Sequence, residues 1–485
     1  MRLIAAVLAL VLPVAAHAAA IGYEGARHLL NRTGFGATDA EIAQFAPLGR
    51  DEAVDRLLSG IRHEAFVAPP AFVDEPFQPY YKLRMLSAEE RMAAQRELVQ
   101  KAFDLRAWWL REMIATPSPL TERMTLFWHN HFATSQQKVR STQLMYRQNA
   151  LLRREALGNF ATLLHEIAKD PAMLVYLDNA GSRKQAPNEN FAREVMELFT
   201  LGEGHYTEHD IKEAARAFTG WSLDRDTGDF TYRRVWHDYG EKTVLGRTGR
   251  LDGDDVLDAL LARPETARFI AAKLWREFVS PTPDANEVSR WADTFREGRY
   301  EVKPLMRAVL TSDAFWAPAN RGALVKSPVE LVVGTLRTFE IKPFDLRPAV
   351  FACAALGQNP FAPPNVKGWP GGDAWIDSAT LLGRRQFVDR LFRGSDPMSA
   401  EPAAMRDEPK GAAGDFAARM RRTLERGSAD YAFDGDRFAA SIGSAGARRL
   451  TKLVLAYPPV NGDEAEAPMP DRVRALVADA AYQLK

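Results

Sequence analysis

A mainly α-helical protein is the fold class that the sequence predicts: a large multi-helix globular body with at most a small β-hairpin insertion. Three observations carry this expectation. Apolar residues recur at helical spacing, as where Ile270, Leu274 and Phe278 follow one another at i, i+4 and i+8 behind Pro264. Capping signals open such segments: Ser327-Pro328-x-Glu330 supplies an N-cap, a proline for the first turn and an early acid. Alternating patterns are scarce. The best lies at 229–249, where Phe230-Tyr232 and Thr243-Leu245 read as the two arms of a hairpin.

The elements follow in chain order. Arg2, an apolar run over 3–16 interrupted by Pro13, and Ala16-His17-Ala18 make a secretory signal peptide over residues 1–18. No twin arginine precedes the run and no cysteine follows the cut, so general export without a lipid anchor is expected. The run is short for a membrane span, and no later stretch reaches about 18 uninterrupted apolar residues. The mature protein is therefore expected to be soluble, periplasmic or secreted, with no transmembrane anchor. A helical body spans 22–392, with an irregular connection at 66–80 marked by Pro69, Pro70, Pro76 and Pro79. A Pro-, Ala- and Gly-rich linker follows at 394–414, then a helical C-terminal appendix at 415–485 with an amphipathic helix over 471–484.

Composition limits the function. The 485 residues suit two or three average domains or one large one, and 46% hydrophobic content can bury a core. Sixty-three basic and 63 acidic residues cancel, which argues against a sequence-wide grip on nucleic acid. Cys353 is the sole cysteine, so no intrachain disulfide forms, and its apolar setting reads as inert core.

Three segments carry unusual polar content. In the first, 122–134, Met124, Phe127 and Trp128 share a helical face with His131, while Glu122, Thr125 and Leu126 share another with His129. Apolar side chains point most ways, so the helix should be buried and its charged and imidazole groups paired. In the second, 187–202, Asn188 or Asn190 caps a helix that Gly202 ends. Phe191, Val195, Leu198 and Phe199 cover one side, and Asn190, Arg193, Glu194 and Glu197 occupy a narrow polar sector. In the third, Thr207 and Asp210 form a capping-box start, after which His209, Glu213 and Arg216 line one face.

These segments carry a family likeness. Asp170-Pro-Ala-Met-Leu-Val-Tyr-Leu-Asp178, Asn188-Glu-Asn-Phe-Ala-Arg-Glu194, Tyr206-Thr-Glu-x-Asp210 and Ala217-Phe-Thr-Gly-Trp221 closely resemble family 1800 of the bacterial domains of unknown function. So do His28-Leu-Leu-Asn-Arg-Thr-Gly-Phe-Gly36, Phe127-Trp-His-Asn-His-Phe132, Lys326-Ser-Pro-Val-Glu330 and Pro364-Asn-Val-Lys-Gly-Trp-Pro370. The resemblance covers roughly 22–392. It implies an exported, mainly helical protein and a co-exported partner from a second family of unknown function, number 1501. It implies no reaction and no catalytic residue.

Several short patterns are weighed on their chemistry. His129-Asn130-His131 spells the name of a nuclease motif whose residues are spread over a different fold. Histidines at i and i+2 on a helix point about 200° apart, which disfavours one shared metal. His205-x-x-Glu208-His209 spells an inverted zinc-protease motif, but an N-cap at Thr207 leaves His205 outside the helix. Asp224-x-Asp226-x-Gly228-Asp229 lacks the glycine and glutamate that a calcium loop needs, and reads as a solvated turn.

Glu194 and Glu197, one turn apart, are the acid/base or ligand candidates; the alternative is a structural pair neutralised by Arg193 or Arg216. His129 and His237 complete the catalytic candidates. His129, His131 and Glu194 form a candidate set for a divalent metal. Asn188, Asn190, Arg193, Arg216 and Trp369 are the substrate-contact candidates, with Trp369 equally readable as a buried aromatic plug. The helix from Asn188 is expected beside that of 122–132, matching carboxylates to imidazoles. Two function classes remain: a hydrolase with a His/Glu or metal site, and a non-catalytic partner or scaffold for another exported protein.

Overall fold

A computed structural model describes residues 19–393, 431, 433–463 and 465–485; the segments expected from sequence as a signal peptide, 1–18, a linker, 394–414, and the start of the C-terminal appendix, 415–430, lie outside the described residues. The protein is mainly α, 62% helical. Among the described residues, β structure is confined to two antiparallel two-stranded sheets and a few isolated bridges. No described helix is long and apolar enough to cross a membrane.

Local signals place many helix ends. Ser327 accepts the Glu330 N–H while the Glu330 carboxylate accepts the Ser327 N–H, and Pro328 opens the Pro328–Thr338 helix. Pro264 starts the Pro264–Phe278 helix. The C-terminal segment is a Met469–Ala478 helix followed by a tighter Ala480–Gln483 turn, because Asp479 caps a new start through the Ala481 N–H. The Glu189–Glu197 helix stops before Gly202. Its last turn widens, with Phe199 N–H reaching Glu194 O and Leu201 N–H reaching Met196 O.

The insertion pairs differently from the expected hairpin. Phe230–Tyr232 pairs with Trp221–Leu223, and Lys242–Val244 with Arg247–Gly249. The turns decide it. Leu245 and Gly246 both adopt left-handed backbone, φ 52° and 82°, and close a two-residue turn within the second pair. Asp224 accepts the N–H groups of Asp226 and Thr227, turning the chain within the first.

Two apolar cores divide the body. One gathers Trp128, Phe132, Phe160, Phe199 and Phe218; the other gathers Trp109, Leu336, Phe339, Phe433 and Tyr482. The Pro119–His131 helix lies between them, giving Met124, Phe127 and Trp128 to the first and Leu126 to the second. This is why 11 of its 13 residues are buried. Each large apolar side chain sealed there, such as Phe132, contributes about 2–3 kcal/mol.

The described C-terminal residues complete the second core. Phe433 packs at 4.9 Å from Phe392 and 5.8 Å from Phe339, ring centre to ring centre. The Tyr482 hydroxyl meets Thr335 Oγ1 at 2.7 Å, and Arg449 pairs with Asp39 at 2.8 Å. The proline-rich stretch before the 28-residue Ala88–Ala115 helix is pinned by Val67 N–H on Glu112 Oε2, 2.6 Å, and by the Gln143 amide on the Glu75 carbonyl, 2.5 Å.

Candidate functional site

A cavity of about 380 Å³ opens where four distant segments meet. The Pro119–His131 helix gives Arg123, Phe127, Asn130 and His131. The Pro264–Phe278 helix gives Lys273, Arg276 and Glu277, which share one face at i, i+3 and i+4. The loop after Asn365 gives Lys367, Trp369 and Trp375, and the start of the Pro328–Thr338 helix brings Glu330, beside Lys485.

The loop is fixed by backbone geometry. Asn130 Oδ1 accepts the Trp369 N–H at 2.7 Å. Gly368 sits at φ 82° directly against Asn130, where any Cβ would collide with that side chain.

Five cationic side chains face this space against two carboxylates. Both carboxylates are occupied. Glu277 takes Arg123 at 2.6 Å, and Glu330 takes Arg123 and Lys485 as well as the Ser327 N–H. These cations hold the buried Glu330 carboxyl down to about 2 against the upward push of burial.

Three cations stay weakly matched. Lys367 is 3.6 Å from Glu203 and 3.9 Å from Glu197 at the rim. Among the described residues, exposed Arg276 reaches only the Ala272 carbonyl of its own helix, at 3.4 Å. Lys273 meets a neutral base: its Nζ is 2.9 Å from His131 Nδ1. His131 Nε2 lies 3.1 Å from the Phe199 carbonyl, so that nitrogen carries the proton and donates, and Nδ1 accepts from Lys273. Burial, then Lys273, pushes the His131 pKa well below its ordinary value; burial, then Arg276, pushes Lys273 down to about 8.

The residues singled out from sequence fall in several places. His129 is sealed in an aromatic cage, 5.5 Å from the rings of Trp109 and Phe361 and 5.6 Å from Trp369; burial pushes it down to about 3. Trp369 is 3% exposed and serves both cage and cavity wall. Glu197 accepts the Tyr206 hydroxyl at 2.7 Å and, through Lys367, adjoins the cavity rim. Glu194 is half-buried, and burial, then Glu197, raises its pKa.

The expected neutralising partners go elsewhere. Arg193 forms a two-bond pair with Glu208, both at 2.8 Å, and Arg216 pairs with Glu213 and Asp238. Asn188 is the cap of its helix, and Asn190 is exposed. His237 Nδ1 lies 2.8 Å from the Thr219 carbonyl between Tyr232 and Tyr239. Beside it Lys242 is spent on three carbonyls, those of Asp238, Gly240 and Leu251.

The Glu189–Glu197 helix packs mainly on the Glu208–Ala217 helix. Beyond its end, Phe199 touches Phe132 and His131 of the neighbouring segment. Among the described residues, no group of three or more His, Cys, Asp and Glu side chains is placed to hold a metal ion, so His129, His131 and Glu194 do not form one. Thr207 caps the Glu208–Ala217 helix, leaving His205 outside it. Cys353 is fully buried.

Lys273, Arg276, Lys367 and Lys485 were not legible as site residues. The available signal was the Lys273, Arg276, Glu277 stripe flanking the apolar face of its helix.

Fold and site together define a helical protein built around a cation-lined cavity with aromatic walls. Its sequence matches the model of one family over residues 28–477: the chain belongs to the family described as protein of unknown function, DUF1800. The match extends past the expected boundary at 392 and takes in Phe433 and Arg449, ending before Tyr482. Searches of curated proteins and of solved structures give no match.

Proposed function

We propose that this protein is exported to the periplasm or secreted, and that its cavity binds an anionic organic molecule. One observation carries the binding reading. Lys273 and Arg276 converge on the cavity with an imidazole and a backbone carbonyl as their nearest polar partners, while both carboxylates lining it are already paired. Weakly matched cations lining one cleft, Lys273 half-buried and Arg276 at its exposed side, attract a ligand of opposite charge. Phe127, Trp369 and Trp375 offer apolar walls for its carbon skeleton. Export is supported by the apolar run and small-x-small pattern of the first 18 residues.

A His/Glu hydrolase has weaker support, because the imidazole at the cavity has both nitrogens engaged and the other faces aromatic rings. Calorimetric titration with oxalate and with inorganic phosphate tests the binding reading. Saturable binding is expected, weakened about tenfold by Arg276→Gln, the scale of one charged hydrogen bond. No heat and no rise in melting temperature with either anion would remove it.

A second reading, docking to a co-exported protein such as a member of family 1501, is favoured by exposed apolar residues on and before the long helix: Met85 at 82%, Met92 at 60% and Val99 at 44% exposure.

A further inference from the structure

The lysines near the cavity differ in what faces them. Lys485 is ion-paired with the Glu330 carboxylate, although burial lowers its pKa to about 8 too, and Lys367 lies 3.6 and 3.9 Å from two carboxylates. Lys326 lies over the Tyr482 ring beside a void of only about 20 Å³, too small for an organic ligand. Lys273 alone of the four combines access to the 380 Å³ cavity with a neutral hydrogen-bond partner. The tautomer of His131 is set by the Phe199 carbonyl, so Nδ1 holds one Lys273 N–H and steadies the amine. The Phe269 ring, 4.8 Å from Nζ, keeps water from one side.

We propose that Lys273 is a nucleophile that condenses with the carbonyl group of an anionic aldehyde or 2-oxo acid bound in the cavity, forming an imine. The proposal rests on the anion-binding reading of the cavity, with Arg276 placed to take the carboxylate. The ammonium first releases one proton to water. The nitrogen lone pair of the free amine attacks the carbonyl carbon and gives a carbinolamine. The two amine hydrogens then leave with the former carbonyl oxygen as water, and the C=N bond forms. No oxidant or reductant is involved.

Of the charged and titratable groups beside Lys273, His131 stays neutral, Glu277 on the same helix face is paired with Arg123, and the like charge of Arg276 favours the free amine. With a pKa of about 8, roughly one Lys273 in ten is uncharged at pH 7, against fewer than about one in a thousand for an ordinary lysine in water.

The test uses the full chain with glyoxylate as probe at pH 7 and cyanoborohydride to reduce any imine to a stable carboxymethyl-lysine, located by peptide mass mapping. Lys273 should be labelled about tenfold or more above the exposed Lys82, Lys303 and Lys342, and excess oxalate should suppress that label selectively. Labelling of Lys273 no greater than that of the three exposed lysines overturns the proposal. The wild-type map decides this without a variant; Lys273→Arg, checked for an unchanged melting curve, should lose the cavity label alone. Oxalate that binds while glyoxylate leaves Lys273 unmodified removes the imine and keeps the anion site. Absence of oxalate binding, with labelling insensitive to it, removes the anion site.

Discussion

His129→Phe tests how the sealed centre of the Pro119–His131 helix reads pH. The imidazole is 1% exposed among Trp109, Phe361 and Trp369, and its Nε2 has no hydrogen-bond partner. Burial lowers its pKa from 6.5 to about 3 in the folded protein. The sign follows from linkage. The unfolded chain takes up a proton below pH 6.5 and the folded chain does not, so stability present above 6.5 is lost as pH falls towards 3. Between pH 7 and pH 5 the loss from this one group is about 2 kcal/mol. Phenylalanine keeps the ring and removes the titration. Urea unfolding at both pH values should show the variant within about 1 kcal/mol of wild type at pH 7, since volume-conserving swaps are mild. The variant should be less acid-sensitive by about 2 kcal/mol over the interval. Identical pH dependence in the two proteins would mean that His129 is protonated in the fold, and the sealed-cage account would be wrong.

Three other outcomes are expected. Glu122→Gln leaves Arg153, bonded to it at 2.5 and 2.9 Å and 2% exposed, as a buried charge without its carboxylate; chemical denaturation should show a loss of about 3–5 kcal/mol, and a loss below about 1 would contradict the pair. Asp170 has the opposite pH sign to His129: burial raises its pKa from 3.8 to about 7, so its contribution is fullest below 3.8 and is lost as pH rises to 7. Asp170→Asn should flatten that part of the stability profile, and an unchanged profile would refute it. Mass spectrometry of protein from its native host should find an N-terminus near Ala19, and an intact Met1 in a soluble cytoplasmic fraction would refute export.

What the sequence disclosed was whatever depends on neighbours along the chain. The Ser327–Glu330 and Thr207–Asp210 boxes are satisfied within four residues, so composition and spacing place them. The Ser87–Glu90 box opening the longest helix carried the same signal. The all-round apolar pattern of 122–131 correctly demanded burial; Glu122, Arg123 and His131 find internal partners while His129 Nε2 has none among the described residues, and which partners form depends on tertiary placement. Arg153 lies 31 positions beyond Glu122, and Glu330 more than 200 beyond Arg123. The hairpin pairing was missed because two short strands of similar composition leave register to the turns, and Leu245 is an unusual residue for a left-handed turn position.

The cavity illustrates the same limit most sharply. Glu194 and Glu197 stand out on a helical wheel as like charges one turn apart, yet neither lines the cavity, and Glu197 only approaches Lys367 at its rim, at 3.9 Å. Lys273 and Arg276 look like an ordinary solvated flank of an amphipathic helix. What makes them chemically distinct is the carbonyl of Phe199, 74 residues earlier, which commits the proton of His131 and turns its other nitrogen towards the amine. No side chain in that relay is unusual alone. A charge whose environment comes from a backbone carbonyl in a distant turn leaves no trace in local sequence pattern, so chemistry of this kind becomes visible only once the segments are assembled.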